Sequence, residues 1–270
     1  MKKNTPSSLT RSENLHPNTL FHLTEDYASL LGILENGFRP SYALENGVFD
    51  DDKYYVPSVC FSDLRVSELS RKHLDSYGPF GIGMTKDWGR NSRVNPVFYI
   101  NPRSFIPSEL RAAFSILSEV NVLKDIPEFD GLEMSGEGHI EYVSCFIKRY
   151  SGILERKGKP IIENFYFADE REWRHIPASN SFIFDSSIDF KIRVKFGGDY
   201  DEKHLLNKKI EGGIPTLKMD EDDIKYLIVP KEKDALRLFR DISKLRRFSR
   251  TEILKLRGRV LTNVSIYEDF

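Results

Sequence analysis

Short apolar runs rich in β-branched and aromatic residues recur along this chain, and helix-spaced stretches separate them. That alternation restricts it to a fold of mixed strands and helices. The strand-like runs are TLFHLT (19–24), VPSVCFSDL (56–64), FGIGMT (80–85), NPVFYI (95–100) and DDIKYLIVP (222–230). Between them, EDYASLLGILENG (25–37) places Tyr27, Leu30, Leu31 and Leu34 at helical spacing, with Thr24 as a candidate cap and Gly37 as terminator. RVSELSRKHLDSYG (65–78) reads as a helix that Ser62 or Asp63 could cap. SELRAAFSILSEVNVLKDI (108–126), GHIEYVSCFIKRYSGILE (138–155) and EKDALRLFRDISKL (232–245) also carry helical spacing.

The remaining segments read as follows: GVFDDDKYY (47–55) as an exposed acidic excursion, DWGRNSRV (87–94) as a polar turn, and ENFYFADEREWRHIP (163–177) as a strand pair or a strand with a polar entry. FIFDSSIDFKIRVKF (182–196) reads as extended chain, GGDYDEKHLLNKKIEGGIP (197–215) as a loop-rich excursion, and GRVLTNVSIYEDF (258–270) as a strand with an acidic tail. No internal repeat or low-complexity linker divides the chain. The expectation is a flexible arm over residues 1–18 and one α+β domain over 19–270, with a mixed, mainly antiparallel sheet flanked by helices.

YGPFGIGMTKDW (77–88) crowds three glycines into an apolar stretch and invites comparison with a phosphate-binding loop. A dinucleotide fingerprint runs GxGxxG and a phosphate loop runs GxxxxGK followed by Ser or Thr; this stretch reads GxxGxG and supplies neither. Its glycines instead mark a strand that something approaches closely.

Charge narrows the partners. The 270 residues are nearly neutral overall, yet 231–259 carries eleven Lys/Arg against four Asp/Glu. The whole is no polycation, and this segment reads as a solvated basic face over core, with nucleic acid as the alternative. Two cysteines, Cys60 and Cys145, do not make a disulfide framework. No apolar run approaches the roughly 20 residues that span a bilayer, and the polar N-terminus lacks a signal core, so a cytoplasmic protein with no membrane partner is expected.

Three polar spots interrupt the strand patterns. His22 lies between Phe21 and Leu23. Ser62 and Asp63 follow buried positions, and DEREWR sets Glu170, Glu172 and Arg174 on one strand face against Arg171, Trp173 and His175 on the other. Each has a plain structural reading, a satisfied histidine or an ion pair. Brought together, an imidazole, a carboxylate and a glycine-lined strand would form a cleft for a polar ligand. The six histidines and two cysteines have no metal-ligand spacing, so no metal is expected, and no GxSxG elbow is present.

LFHLT, LLGILENGFRPSY, VPSVCFSDL, HLDSYGPFGIGMTKDWG, NPVFYI, DEREWR and RVLTNVSIYEDF resemble, in that order, the AbiGi family of bacterial abortive-infection proteins. The resemblance runs from about residue 20 to the C-terminus. It implies a phage-defence antitoxin or regulator that acts on a protein partner from the same defence locus. More distantly, a strand histidine ahead of a glycine-terminated helix, followed by a late strand glutamate, is similar to ADP-ribosyltransferases. That similarity implies an ADP-ribosyltransferase-like scaffold with NAD as ligand. His22 would hold the nicotinamide ribose, Glu172 or Glu170 would stabilise the oxocarbenium-like transition state, and Arg39 or Arg174 would meet the pyrophosphate, with Ser62 nearby.

Overall fold

The computed structural model describes residues 16–48, 53–69, 71–119, 142–154, 160–177, 192–193, 200–210 and 214–269. Strand β1 (Thr19–Thr24) leads into helix α1 (Tyr27–Asn36), then β2 (Ser41–Asn46) and the long β3 (Lys53–Asp63). Helix α2 (Arg71–Tyr77), β4 (Phe80–Thr85), α3 (Lys86–Asn91), β5 (Asn95–Pro96), β6 (Phe98–Ile100) and α4 (Ile106–Glu119) follow. Next come β7 (Ile147–Arg149), β8 (Ser151–Leu154), β9 (Ile162–Tyr166), β10 (Glu172–His175), β11 (Ile192–Arg193) and α5 (Tyr200–Ile210). The chain closes with β12 (Ile224–Val229), α6 (Glu232–Ile242), α7 (Arg250–Arg257), β13 (Val260–Thr262) and α8 (Asn263–Asp269).

A nine-stranded sheet orders these strands β13-β12-β4-β1-β3-β10-β5, and β2 and β11 pair with the first half of β3. Only the β12–β13 pairing in it is parallel, so the sheet is mixed and mainly antiparallel, as expected. Two small sheets stand apart, β6 with β7 and β8 with β9.

Alternation along the strands divides the interior in two. Leu20, Phe61, Ile82, Leu227 and Val229 bury against Leu30 and Leu34 of α1, Trp88 of α3, Leu238 and Ile242 of α6, and Leu256 of α7. On the opposite face Phe21 and Ile228 meet Leu64, Val66, Leu69, Leu74 of α2 and Ile266 of α8. Fully burying each such side chain stabilises by roughly 1.5–3 kcal/mol, so both helical layers are needed to close the sheet.

The glycine-rich stretch is now explained. Gly78 has φ 117, and a Cβ there would strike the Thr24 backbone. Gly81 and Gly83 face Leu23 and Phe21 across the β1–β4 pairing at distances that leave no room for a methyl group. What approaches this strand is its neighbour in the sheet.

Several expectations need correcting. Asp26, not Thr24, caps α1 by accepting from the Ser29 N–H at 2.8 Å. Residues 65–78 form a 3-10 turn (Val66–Glu68) and then α2, and Asp63 spends its carboxylate on Lys86 at 2.6 Å instead of a cap. Tyr54 and Tyr55, assigned to the acidic excursion, lie in β3, and Tyr55 is buried. The polar turn after β4 contains helix α3, started by Thr85 accepting from Trp88 N–H. NPVFYI divides between two sheets at Val97. Among the described residues of the helix expected over 138–155, 142–144 are helical and β7 and β8 follow; 200–210 is helix rather than loop; and the tail is helix α8. Residues 1–15 of the arm expected over 1–18, the ends of the 108–126 and 138–155 segments, and most of 182–196 lie outside the described residues.

Candidate functional site

Strand β10 carries the charged residues that the sequence singles out. Its register sets Glu172 opposite Ser62 and Arg174 opposite Cys60, so these four share one face of the sheet. Glu170 ends a 3-10 turn (Phe167–Glu170), and Arg171, left-handed at φ 42, turns the chain so that Glu170 and Glu172 converge on the same amine.

That amine belongs to Lys148 on β7, which reaches Glu170 and Glu172, each at 2.9 Å. Arg174 is 1% exposed. It donates from Nε to Glu172 at 2.7 Å, from one terminal nitrogen to the Cys145 carbonyl at 2.7 Å, and from the other to Glu45 on β2 at 2.9 Å. Tyr77 of α2 donates to Glu170, and the Glu172 N–H donates to the Tyr99 hydroxyl at 2.8 Å. Three carboxylates and two cations thus form one network.

The electrostatics follow from burial against pairing. Burial alone would push the Glu172 carboxyl up, but Arg174 and Lys148 more than offset it and hold it at about 2. Burial disfavours the charged Lys148 too, and Glu172 and Glu45 overcome it, so its ammonium is held above the usual range. Burial, then the Glu172 charge, pushes the Tyr99 phenol up to about 12 and the Cys60 thiol well above its usual range. A thiol so placed is a poor nucleophile. Beside the network, Glu45, Val48, Tyr54, Ser144, Cys145 and Arg174 line a recess of ≈ 20 Å³, room for about one water.

His22 is elsewhere. It packs against Phe38 and Phe61, ring centroids 5.2 and 5.6 Å away, on the face that buries Leu20 and Trp88. Its Nδ1 lies 2.8 Å from the Cys60 carbonyl, and burial pulls its pKa down against that bond, which favours the neutral ring. The sheet therefore separates His22 from Glu172. Arg39 is exposed on the chain between Phe38 and β2. Structure brings Glu170, Glu172, Arg174 and Ser62 together and leaves His22 and Arg39 outside the group. Glu45, Lys148 and Tyr99 were missed by sequence reasoning. The alternation in FIKRY was a signal for a strand around Lys148; nothing marked Glu45. Among the described residues no group of three or more His, Cys, Asp or Glu could hold a metal.

The described residues define an α+β domain whose buried charges neutralise one another around β10. A family model described as "Putative abortive phage resistance protein AbiGi, antitoxin" matches residues 38–230, more than half of the chain and nearly all of this network's surroundings. The chain belongs to the AbiGi family of abortive phage resistance proteins. It is also 34% identical over 135 residues to an abortive phage resistance protein AbiGi of Lactococcus lactis subsp. cremoris. That alignment covers 46% of this chain and 52% of the relative, so about half of the relative's length is spanned. No solved structure matches significantly, and the expected ADP-ribosyltransferase likeness has no solved counterpart behind it. No helix among the described residues is long and apolar enough to cross a membrane.

Proposed function

We propose that this chain is the antitoxin of a phage-defence pair and acts by binding its toxin, a protein encoded in the same locus. The antitoxin role is in the description of the matching family. The observation that carries the reading is where polar and apolar groups lie: the charged network is consumed internally, while large apolar side chains stand in solvent between β6 and β9. Phe105 is 87% exposed, Phe98 64% and Ile161 62%, and Ile116, Ile153 and Tyr166 are exposed as well. An open groove of ≈ 520 Å³ runs along α4, lined by Pro102, Pro107, Ser108, Arg111 and Ala112. Large apolar groups exposed in such number along one stretch of chain mark protein interfaces, and aromatic anchors carry most of their energy.

The test is binding of the purified toxin to a Phe98→Ser/Phe105→Ser/Ile161→Ser variant. Affinity should fall at least about tenfold, with thermal unfolding unchanged because all three side chains are exposed. Undiminished affinity would remove this surface from the reading.

The rival reading is an NAD-dependent ADP-ribosyltransferase or NAD-cleaving toxin. One observation favours it: Glu172 is ionised beside an arginine, as a carboxylate that stabilises an oxocarbenium ion must be. It also requires His22 and Glu172 to flank one ligand, and the sheet lies between them. Isothermal titration with NAD should therefore give no saturable heat. Saturable binding that is lost in His22→Ala would restore the enzyme.

A further inference from the structure

The exposed side of α6 carries Lys233, Arg237 and Arg240 at positions i, i+4 and i+7, one stripe on the helix, and exposed Lys244 follows in the turn after its C-cap. Its opposite side is the buried Ala235, Leu238 and Ile242, so the stripe's direction is fixed by the core. The following loop and the start of α7 extend it with exposed Arg246 and Arg250. Glu232 and Asp234 stand in the first turn of α6, and most other acidic groups nearby are already engaged. Asp241 accepts from Tyr27 at 2.8 Å and from Lys244 at 2.7 Å, and Glu252 is held in the capping box of α7. Glu221 and Asp222 are taken by Lys255 and Arg259.

We propose that this face binds the phosphate backbone of double-stranded DNA. The proposal is independent of the toxin-binding reading, which uses the surface between β6 and β9. Four of the six cations are arginines, whose planar donors match phosphate oxygens in pairs. Along the helix Lys233 to Arg240 span about 10 Å, and Lys244 carries the row past the helix end, beside a duplex backbone carrying one charge per roughly 1.7 Å. Protein interfaces keep charge away from their centre, whereas here charge is the centre and Leu236 is the lone large apolar side chain exposed on α6. Single strands are held by stacking on exposed aromatic rings, and on this face Phe239 is half-buried and Phe248 buried. An α-helix suits the open major groove of B-form DNA better than the narrow one of duplex RNA.

The experiment is fluorescence anisotropy of a short labelled DNA duplex titrated with the full chain between about 50 and 200 mM salt. The wild type should bind saturably, with affinity falling steeply as salt rises. Arg240→Gln/Arg246→Gln/Arg250→Gln should bind at least about tenfold more weakly and flatten the logarithmic salt slope by about 2 to 3, with an unchanged unfolding temperature. Arg71→Gln/Arg90→Gln, exposed elsewhere, should bind as the wild type does. The proposal is overturned if the duplex does not bind at low salt or if the triple variant binds it equally well. It is also overturned if single strands, duplex RNA or phosphatidylserine vesicles bind more tightly. Binding of an acidic peptide without DNA would assign the face to a protein partner instead.

Discussion

Arg174→Met will lower the unfolding free energy by about 3–5 kcal/mol, because it removes one partner of a buried ion network and leaves the other charges uncompensated. Three acceptors lose their donor at once: the Glu172 carboxylate, the Glu45 carboxylate and the Cys145 carbonyl. Lys148 alone would then face three carboxylates. The methionine fills much of the arginine's volume, so the loss reads charge more than cavity. Urea unfolding followed by circular dichroism measures it. The double variant Arg174→Met/Glu172→Leu should recover part of the loss, since replacing a buried pair together is far less costly than breaking it. A single variant as stable as the wild type would mean that the network does not hold β10, β2 and β7 together.

Acid will unfold the protein in two stages. His22 and His175 have folded-state pKa values below their ordinary 6.5, mainly through burial. The unfolded chain takes up those protons first, so their contribution is full above about pH 6.5 and declines as pH falls below it. Glu172 follows. Its folded value of about 2 lies below an ordinary 4.5, so the stability it contributes is present above about pH 4.5 and lost as pH falls toward 2. A shift of that size corresponds to on the order of 3 kcal/mol. Thermal melts from neutral pH down to pH 2 should show both declines, and Glu172→Gln should remove the lower one. A flat profile between pH 4.5 and 2 would contradict the ionised, buried Glu172.

The fold class was legible because the core strands carry their period openly. Leu20 and Phe21, or Leu227 and Ile228, sit on opposite faces as alternation requires. The errors have physical causes. Tyr55 is buried because β2 and β11 flank β3, a tertiary fact that three neighbouring aspartates concealed. The 138–155 stretch mixes both periods, and pairing of β6 with β7 decides for strand around Lys148. Gly81 and Gly83 were recognised as close-approach glycines without their neighbours being nameable.

The site was half legible. DEREWR showed that Glu172 and Arg174 share a face, but Lys148 and Glu45 arrive from 24 and 127 residues earlier in the chain and neutralise them. His22 looked like their partner because strand order cannot be read from a single chain. Alternation fixes which way a residue points relative to its own strand; only the pairing of β1, β3 and β10 shows that His22 and Glu172 end on opposite sides.

The proposed toxin binding runs through the surface between β6 and β9. The most direct measurement is growth of cells expressing the locus toxin together with wild-type chain, the Phe98→Ser/Phe105→Ser/Ile161→Ser variant or His22→Ala. Rescue is expected from the wild type and from folded His22→Ala, and none from the triple variant at equal protein level. Rescue by the triple variant, together with its loss in folded His22→Ala, would contradict it and move the function to the histidine side of the sheet.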